Sequence, residues 1–423
     1  MKIKDWDKSL KVRLFGEALI NITFWMFFPF LAIYFAEELG RATAGALLII
    51  SQVFSVIANL VGGYAADTFG RKRMMVVASI GQSLAMVLFA FANSPVYESA
   101  ILGFVAFTIA SVFGSFYWPA SQAMVADVVP EEHRSDVFAV FYTSINIAVV
   151  IGPILGGIFF FTYRFELLLV AAAFSLLLGW ILYKFTTESL PASADKLPTD
   201  TSRGAMHAIK TQVKDYGVIL QDKVFLLFIV AGVLSAQTFM QMDLLLPVFI
   251  KDVMPETVVS ILDWDFNLTG ELAFSMIISE NGFLVALLTV AITRFVVRYS
   301  ERNVFIVSSI LYAVGMLVFA MFNMFFMFII AMFIFTLGEL LVVGIQQSFI
   351  SKLAPEHMRG QYFAAASLRY TIGRTIAPIS IPLTVWIGYN WTFGLIIVLQ
   401  LLAALTYYWM FHLFAQKKAA STL

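Results

Sequence analysis

The chain has 423 residues, of which 61% are hydrophobic and 13% charged, and its mean hydropathy is +0.87. This is too apolar for a soluble protein of the same size, so the composition predicts an integral membrane protein. The 27 cationic residues are balanced by 27 anionic ones, which leaves no basic excess for a nucleic-acid partner. The absence of cysteine excludes disulfides, thiolate metal sites and a cysteine nucleophile.

Apolar runs long enough to cross a bilayer, about 20 residues each, occur twelve times along the chain. Their centres lie near residues 25, 55, 84, 112, 150, 175, 236, 286, 312, 338, 375 and 403. In the connections, 22 Lys and Arg residues fall at the termini and after even-numbered runs, and three fall on the other side. Because cationic connections stay in the cytoplasm, we predict a multi-pass protein of a bacterial cytoplasmic membrane with both termini in the cytoplasm.

Two polar connections interrupt this series. The longer one divides the chain into a six-helix bundle at 1–186, a cytoplasmic linker at 187–222 and a second six-helix bundle at 223–423. The second connection, Lys251–Phe274, is acidic and falls on the outer side. There we predict a solvated loop with no assigned chemistry.

The two bundles contain an internal repeat. Residues 130–134 read Pro-Glu-Glu-His-Arg, and residues 355–359 read Pro-Glu-His-Met-Arg, an offset of 225. The same offset places Pro153 on Pro378. Two matches in one register predict an all-α protein built from two six-helix pseudo-repeats.

A short charged segment at residues 63–73, Gly-Tyr-Ala-Ala-Asp-Thr-Phe-Gly-Arg-Lys-Arg, separates the second and third runs. Gly63 and Gly70 permit close helix approach and a sharp turn, and Asp67 can pair with Arg71. The pattern G-x-x-x-D-x-x-G-R-[KR]-[KR] resembles the loop between spans two and three of the major facilitator superfamily. The resemblance implies twelve transmembrane helices in the major facilitator fold, with a substrate site between two halves that alternate access. A positive-inside anchor with an incidental aspartate is the alternative.

The fifth run contains a second motif, Gly-Pro-Ile-Leu-Gly-Gly at residues 152–157. Proline bends a helix, and glycines at this spacing present a smooth face on which another helix can pack closely. The motif resembles the antiporter motif of drug:proton exchangers in the same superfamily. The resemblance gives a gating role to Gly152, Pro153, Gly156 and Gly157. Close packing with no bearing on transport is the alternative.

The fourth run lacks the membrane-embedded arginine that such exchangers carry, because residues 101–126 contain none. Asp127 ends this run instead. By resemblance, Asp127 pairs with Arg71 and helps to latch the cytoplasmic face shut. The alternative is a solvated acid at a helix end.

A few charged residues lie inside the apolar runs, where an unpaired charge costs about 2.5 kcal/mol or more at the bilayer centre. We identify Glu17 in run one, Asp243 in run seven, Glu339 in run ten, and Arg369 and Arg374 in run eleven. Glu17 follows Arg13 by four residues, so an interfacial ion pair and a functional acid are equal alternatives. Asp243 and Glu339 resemble the acids of the lactococcal type of multidrug antiporter. We therefore predict that these three acids couple transport to protons.

Apolar side chains accompany the acids on runs one and seven. The two groups are Asn21, Phe24 and Phe28 beside Glu17, and Phe239, Met240 and Met242 beside Asp243. An adaptable apolar surface next to an acid suits lipophilic cations, so we assign both groups to the substrate site.

Arg369 and Arg374 lie about 140° apart on one helix and cannot share a face. One of them neutralises Glu339 or holds an anionic substrate group, while the other reaches a backbone carbonyl or the lipid headgroups. We assign Arg374 to the substrate site, although the sequence does not distinguish the two roles. Permanent neutralisation of the acids by these arginines is the structural alternative.

Together these features predict proton-coupled efflux of lipophilic or cationic drugs, the multidrug type that confers antibiotic resistance. Proton and drug then compete for one negative charge. A proton symporter of a sugar, peptide or other small metabolite is the alternative, and a receptor of the same fold is left open. An embedded enzyme is disfavoured because the four histidines are scattered without ligand spacing. We expect a monomer that binds substrate, protons and membrane lipids, with no cofactor, metal or nucleic acid.

Overall fold

The structure, a computed structural model, describes residues 3–189, 221–254, 256–261, 264–354, 362 and 365–421. Most of the predicted linker at 187–222 lies outside the described residues, as does the repeat motif at 355–359. The bundle boundaries drawn from that linker therefore stay a prediction.

The first part of the described chain is built from helices joined by short connections. They are α1 (Lys8–Phe27), α2 (Leu31–Leu39), α3 (Arg41–Phe69), α4 (Arg71–Phe91), α5 (Ala100–Val128), α6 (Glu131–Phe159) and α7 (Arg164–Phe185). A 3₁₀ turn, Phe28–Phe30, joins α1 to α2 at Pro29. A two-stranded hairpin, β1 (Asn93–Ser94) with β2 (Tyr97–Glu98), joins α4 to α5.

The second part repeats this helical construction. Its helices are α8 (Lys223–Phe239), α9 (Leu245–Val253), α10 (Gly270–Val296), α11 (Glu301–Met321), α12 (Phe325–Leu353), α13 (Leu368–Ile376) and α14 (Ser380–Ser421). Two of its spans are broken by 3₁₀ turns, Met240–Met242 after α8 and Ala377–Ile379 after α13. Several helices in the chain begin at a side chain that accepts a hydrogen bond from a free backbone N–H. These capping residues are Asp7, Ser99, Asp222 and Thr269.

Within the described residues, eleven helical runs are long and apolar enough to cross a membrane. The last of them, Leu368–Lys417, is 50 residues long and contains Gly388 at a φ of 78°. This left-handed conformation, which glycine adopts without strain, breaks the helix and divides the run into two spans. All twelve predicted centres fall within the resulting spans, so the predicted all-α membrane fold is confirmed.

The connection Lys251–Phe274 differs from the prediction. Helix α9 continues to Val253, and an antiparallel hairpin follows, formed by β3 (Thr257–Ile261) and β4 (Trp264–Leu268) with Thr257 opposite Leu268. Helix α10 then begins at Gly270. The connection therefore contains a hairpin where a loop was predicted, because the β-branched residues of Thr257–Ile261 favour a strand, whereas its solvation stays a prediction.

The chain forms two compact units. The first comprises Met1–Leu31 and Ile50–Thr211, and the second comprises Ala32–Ile49 and Gln212–Leu423. In the second unit, Arg41 pairs with Asp252 and Glu37 pairs with Lys251. These ion pairs explain why residues 32–49 belong to this unit.

In the first unit, α6 packs closely on α1. A Cβ added to Gly156 would overlap the backbone carbonyl oxygen of Met26, and one added to Gly152 would overlap the side chain of Trp25. Pro153 is buried between these two glycines, and Gly157 is half-buried. The close packing predicted from the motif is present, whereas its gating role stays a prediction.

We expect Gly156→Ala to lower the stability of the protein by about 1–3 kcal/mol, because a backbone oxygen cannot move aside as a side chain can. Gly63→Ala is the matched control, since a Cβ there meets no atom within 4 Å and alanine is the better helix former. The measurement is the melting temperature of each purified variant, which should fall for Gly156→Ala and not for Gly63→Ala. An unchanged melting temperature for Gly156→Ala would contradict the close packing.

Candidate functional site

The charged segment at residues 63–73 forms the ion pairs expected of it. Gly70, at a φ of 98°, separates α3 from α4. Arg71 at the start of α4 is buried and bonds Asp67 Oδ1 at 2.8 Å, Asp127 Oδ2 at 3.2 Å and the carbonyl of Ala66 at 2.6 Å. Both predicted pairs are therefore present, although their role as a latch stays a prediction.

Sequence analysis missed Glu188, which completes this segment. Its Oε1 accepts hydrogen bonds from the backbone N–H groups of Arg71 at 2.7 Å and Lys72 at 3.3 Å. A carboxylate at the first turn of α4 compensates the positive end of the helix dipole. Gly70 suits this turn because its φ of 98° is a backbone conformation that residues with a side chain rarely adopt. Gly63 does not make the close approach expected of it; its neighbour Gly62 does, with a Cβ that would lie 3.0 Å from Phe116 Cα.

Glu17 belongs to a buried network in the first unit. Its Oε1 accepts from Arg13 Nε at 2.9 Å, from the Tyr117 hydroxyl at 2.6 Å and from Ser121 Oγ at 3.3 Å. The Arg13 side chain is 1% exposed and also donates to Ser121. The Arg13–Glu17 pair is thus present and buried among side chains of the first unit, whereas its position at the membrane interface stays a prediction. An arginine does contact the fourth span, and it comes from α1.

The side chains that continue the Glu17 face remain half-buried in the first unit. Phe24 and Phe28 stack with their ring centroids 4.6 Å apart, and Asn21 lies one turn before Phe24. These residues and Glu17 lie in a different unit from the acids of the second half.

Glu339 lies on α12 in the second unit and is half-buried. Its Oε2 accepts a hydrogen bond from Asn281 Nδ2 on α10 at 3.0 Å. The same nitrogen lies 3.0 Å from Thr336 Oγ1, one turn earlier on α12. Sequence analysis missed both partners, because an amide and a hydroxyl in an apolar helix carry no charge signal.

Glu339 lines a cavity of about 80 Å³ in the second unit. The cavity lies among α8, α11, α12, α13 and α14. Its polar lining residues include Ser235, Ser308, Ser309, Tyr312, Gln346 and Arg369. Phe239 forms part of the apolar wall, whereas Met240 and Met242 lie beyond the lining, in the 3₁₀ turn. Of the three apolar side chains predicted near Asp243, the structure brings only Phe239 to the cavity.

Asp243 occupies the break between α8 and α9. Its Oδ1 is buried and makes no hydrogen bond with any described residue. Glu339 and Arg374 are the charged residues that act on it electrostatically. A carboxyl oxygen without a partner retains the capacity to take a proton or a cation.

The two broken spans of the second unit meet at their breaks. Gln237 Nε2 donates to the carbonyl of Gly373 at 3.1 Å, and Ser380 Oγ donates to Gln241 Oε1 at 2.6 Å. Buried amides thereby hold the break beside Asp243 against the end of α13, which carries Arg374. Broken helices of this kind expose backbone dipoles to bound ions in membrane transporters.

The structure assigns different surroundings to the two arginines of the eleventh span. Arg369 is buried, donates from Nε to the carbonyl of Ala366 at 2.9 Å and lies 4.3 Å from the Phe228 ring centroid. Arg374 is exposed and acts on Asp243. The expected contact with a backbone carbonyl is therefore made by Arg369. Among the described residues, neither arginine forms an ion pair with Glu339.

Glu280 on α10 is a fourth intramembrane acid, and sequence analysis overlooked it. It is half-buried, and its Oε2 is buried without a hydrogen bond to any described residue. It does not line the Glu339 cavity. The test that found Asp243, a charge inside an apolar run, would have found Glu280 as well. Across the described residues, no cluster of three or more His, Asp or Glu offers a metal site.

Comparison with known proteins decides the family. The sequence profile described as Major Facilitator Superfamily matches residues 14–378 and 253–422. The chain belongs to the Major Facilitator Superfamily. The resemblance seen in the charged segment is confirmed, and membership makes the protein a multi-pass membrane transporter and not an enzyme.

Individual superfamily members resemble the chain to different extents. It is 58% identical over 423 residues, 100% of both proteins, to the Na(+), Li(+), K(+)/H(+) antiporter of Planococcus maritimus. It is 31% identical over 160 residues, 36% of this chain and 38% of the relative, to multidrug resistance protein MdtG of Proteus mirabilis (strain HI4320). A solved POT family transporter in complex with 5-aminolevulinic acid has a TM-score of 0.76 at 15% identity and covers 96% of both chains. This last likeness shows the fold alone.

Proposed function

We propose that this transporter exchanges protons for the alkali cations Na⁺, Li⁺ and K⁺ across a bacterial cell membrane. The observation that carries the proposal is the position of Glu339, a carboxylate on the wall of a cavity lined by hydroxyl groups. The full-length relative at 58% identity, itself an antiporter of these ions, supports the choice of cation.

The chemistry of the cavity suits a small, hard cation, which prefers oxygen ligands. Ser308 Oγ donates its hydrogen to the carbonyl of Gly338, and Ser309 Oγ donates to that of Phe305. With these hydrogens committed to backbone oxygens, the serine lone pairs remain available as ligands. Glu339 then supplies the negative charge that compensates a monovalent ion.

Exchange follows from competition for this single charge. A proton and an alkali cation each neutralise Glu339, so binding of one favours release of the other. Asp243, with its unpartnered Oδ1, provides a second acid for the same exchange.

Efflux of amphiphilic cations is a second candidate, and a specific observation favours it. Phe239 and Tyr312 line the same cavity as Glu339, and aromatic faces attract organic cations. The partial match to a multidrug resistance protein supports this candidate over about a third of the chain. The drug-efflux function predicted from the sequence therefore stays a proposal, second to alkali cation exchange.

The test uses everted membrane vesicles from a bacterial host that lacks its own alkali cation antiporters. Respiration acidifies the vesicles, and a fluorescent weak base reports the pH gradient. We expect NaCl, LiCl and KCl to collapse the gradient, and choline chloride to leave it intact. If no alkali cation collapses the gradient while ethidium accumulates at the expense of protons, the second candidate replaces the first.

We further propose that both termini face the cytoplasm. The distribution of Lys and Arg, 22 on one side and three on the other, supports this orientation. Because the chain has no cysteine, single introduced cysteines can be labelled selectively. Ser94→Cys should react with an impermeant maleimide on intact cells. Ser421→Cys should react only after the cells are permeabilised. The reverse labelling pattern would invert the topology.

A further inference from the structure

We propose that the first unit carries a binding site for an anionic phospholipid, at the end where α1 and α4 begin and α7 ends. Three lysines from three helices, here called the lysine cluster, supply its charge: Lys8 on α1, Lys72 on α4 and Lys184 on α7. The ligand is a membrane lipid whose phosphate headgroup has a net negative charge. None of the acids of the proposed exchange takes part, so the inference does not depend on the transported ion.

Each member of the lysine cluster lies over an aromatic ring near the end of α7. The Nζ atom of Lys8 is 4.6 Å from the centroid of the Phe185 ring, and that of Lys184 is 5.3 Å from the same centroid. The Nζ atom of Lys72 is 5.6 Å from the centroid of the Tyr183 ring. Two ammonium groups at one ring repel each other, so an anion that contacts both is stabilised.

Among the described residues, no acidic side chain forms an ion pair with the lysine cluster. Glu188 accepts a hydrogen bond from the backbone N–H of Lys72, but not from its ammonium group. A lysine of the second unit differs in this respect, because Lys352 bonds Glu301 at 2.6 Å. The positive charge of the cluster is therefore left for a ligand to compensate.

Apolar surface for acyl chains adjoins the lysine cluster. Helices α4 and α7 approach closely at Gly179, where an added Cβ would lie 3.1 Å from the side chain of Ile80. Beside this contact, both helices expose apolar or aromatic side chains at helical spacing. They are Val77, Ile80 and Leu84 on α4, and Leu176, Trp180 and Tyr183 on α7.

The two aromatic residues of this surface favour a lipid over a soluble anion. Trp180 is 51% exposed and Tyr183 is 70% exposed, and both belong to the last two turns of α7. Exposed Trp and Tyr at the end of a membrane span lie at the level of the lipid headgroups. Basic sites between helices at the cytoplasmic face bind anionic headgroups, and the proposed orientation places this end of the first unit there. A lipid would contact both the charges and the apolar surface, whereas a soluble anion would contact the charges alone.

The experiment measures lipid binding to the purified full-length protein by native mass spectrometry. The probes are dioleoyl phosphatidylglycerol, which is anionic, and dioleoyl phosphatidylcholine, which has no net charge. We expect the native protein to bind the anionic lipid more tightly by about tenfold or more, because three ammonium groups attract its headgroup. The triple variant Lys8→Gln, Lys72→Gln, Lys184→Gln should lose this preference. Arginine at the same three positions should retain it.

The matched control removes three lysines of the second unit, Lys223, Lys352 and Lys417, which the proposed orientation places on the same side of the membrane. This control should bind phosphatidylglycerol as the native protein does. Glycerol phosphate, which has the headgroup phosphate without acyl chains, should not displace the lipid. If the triple variant of the cluster does not fold, its single glutamine variants decide the question, each with an expected loss of about fivefold in affinity.

Three results would overturn the proposal. They are an undiminished preference for phosphatidylglycerol in the glutamine variants of the cluster, an equal loss in the control, and displacement of the lipid by glycerol phosphate. The last result would replace the lipid with a soluble anion. Lipid binding is measured without any transport, so failure of the alkali cation exchange would leave this site untouched.

Discussion

Glu339→Gln is expected to abolish proton exchange for every alkali cation while leaving the protein folded. The glutamine side chain removes the charge but keeps the shape, and its Oε1 can accept the hydrogen bond that Asn281 donates to the native carboxylate. The hydrogen bond that Asn281 donates therefore keeps its acceptor. Without the negative charge, neither a proton nor a cation is held, so the gradient in everted vesicles should resist NaCl as it does in vesicles without the protein.

The matched control is Glu301→Gln, which removes an acid of the same charge from the end of α11. Glu301 bonds Lys352 at 2.6 Å in an exposed pair, and such pairs contribute about 0–1 kcal/mol to stability. Its exchange activity should equal that of the native protein. Native exchange in Glu339→Gln would remove this acid from the mechanism, and loss of folded protein would make it a structural residue.

Sequence reasoning found the spans and most of the charges for a simple physical reason. Twelve apolar runs and the pattern at residues 63–73 are local features, and a charge such as Glu339 in an apolar run stands out without any knowledge of its neighbours. The glycines of the fifth run likewise predicted close packing, which α6 makes on α1.

The partners of those charges could not be predicted in the same way. Asn281 reaches Glu339 across 58 residues of sequence, and Glu188 reaches Arg71 across 117. Neutral amides and hydroxyls give no hydropathy signal, and a contact between distant helices depends on the rotation of each helix. The burial of Arg13 was missed for this reason, since it depends on a contact with Ser121 on α5.

The positions of the helix breaks could not be predicted from the sequence either. Pro247 and Pro378 mark the neighbourhood of the two breaks in the second unit, but the 3₁₀ turns begin at Met240 and Ala377. Buried glutamines and a serine stabilise the junction of these turns. A polar residue in an apolar run therefore carries information even without a charge, because burial obliges it to find a hydrogen-bond partner.

The two arginines of the eleventh span should respond to substitution in different ways. Arg374 is exposed and acts on Asp243 through its charge, so removing the charge should leave the fold intact and alter protonation. We expect Arg374→Gln to change the pH profile of cation exchange, because Asp243 loses the positive charge that acts on it, and Arg374→Lys, which keeps the charge, to restore the profile.

Arg369 provides the contrast within the same helix. Its side chain packs across Gly232 so closely that a Cβ there would overlap it, and its guanidinium lies over the Phe228 ring. We expect Arg369→Met to lose about 2 kcal/mol or more of stability, because a buried cation–π contact and a hydrogen bond disappear together. An unchanged melting temperature in Arg369→Met, or a lowered melting temperature with an unshifted profile in Arg374→Gln, would exchange the roles assigned to these arginines.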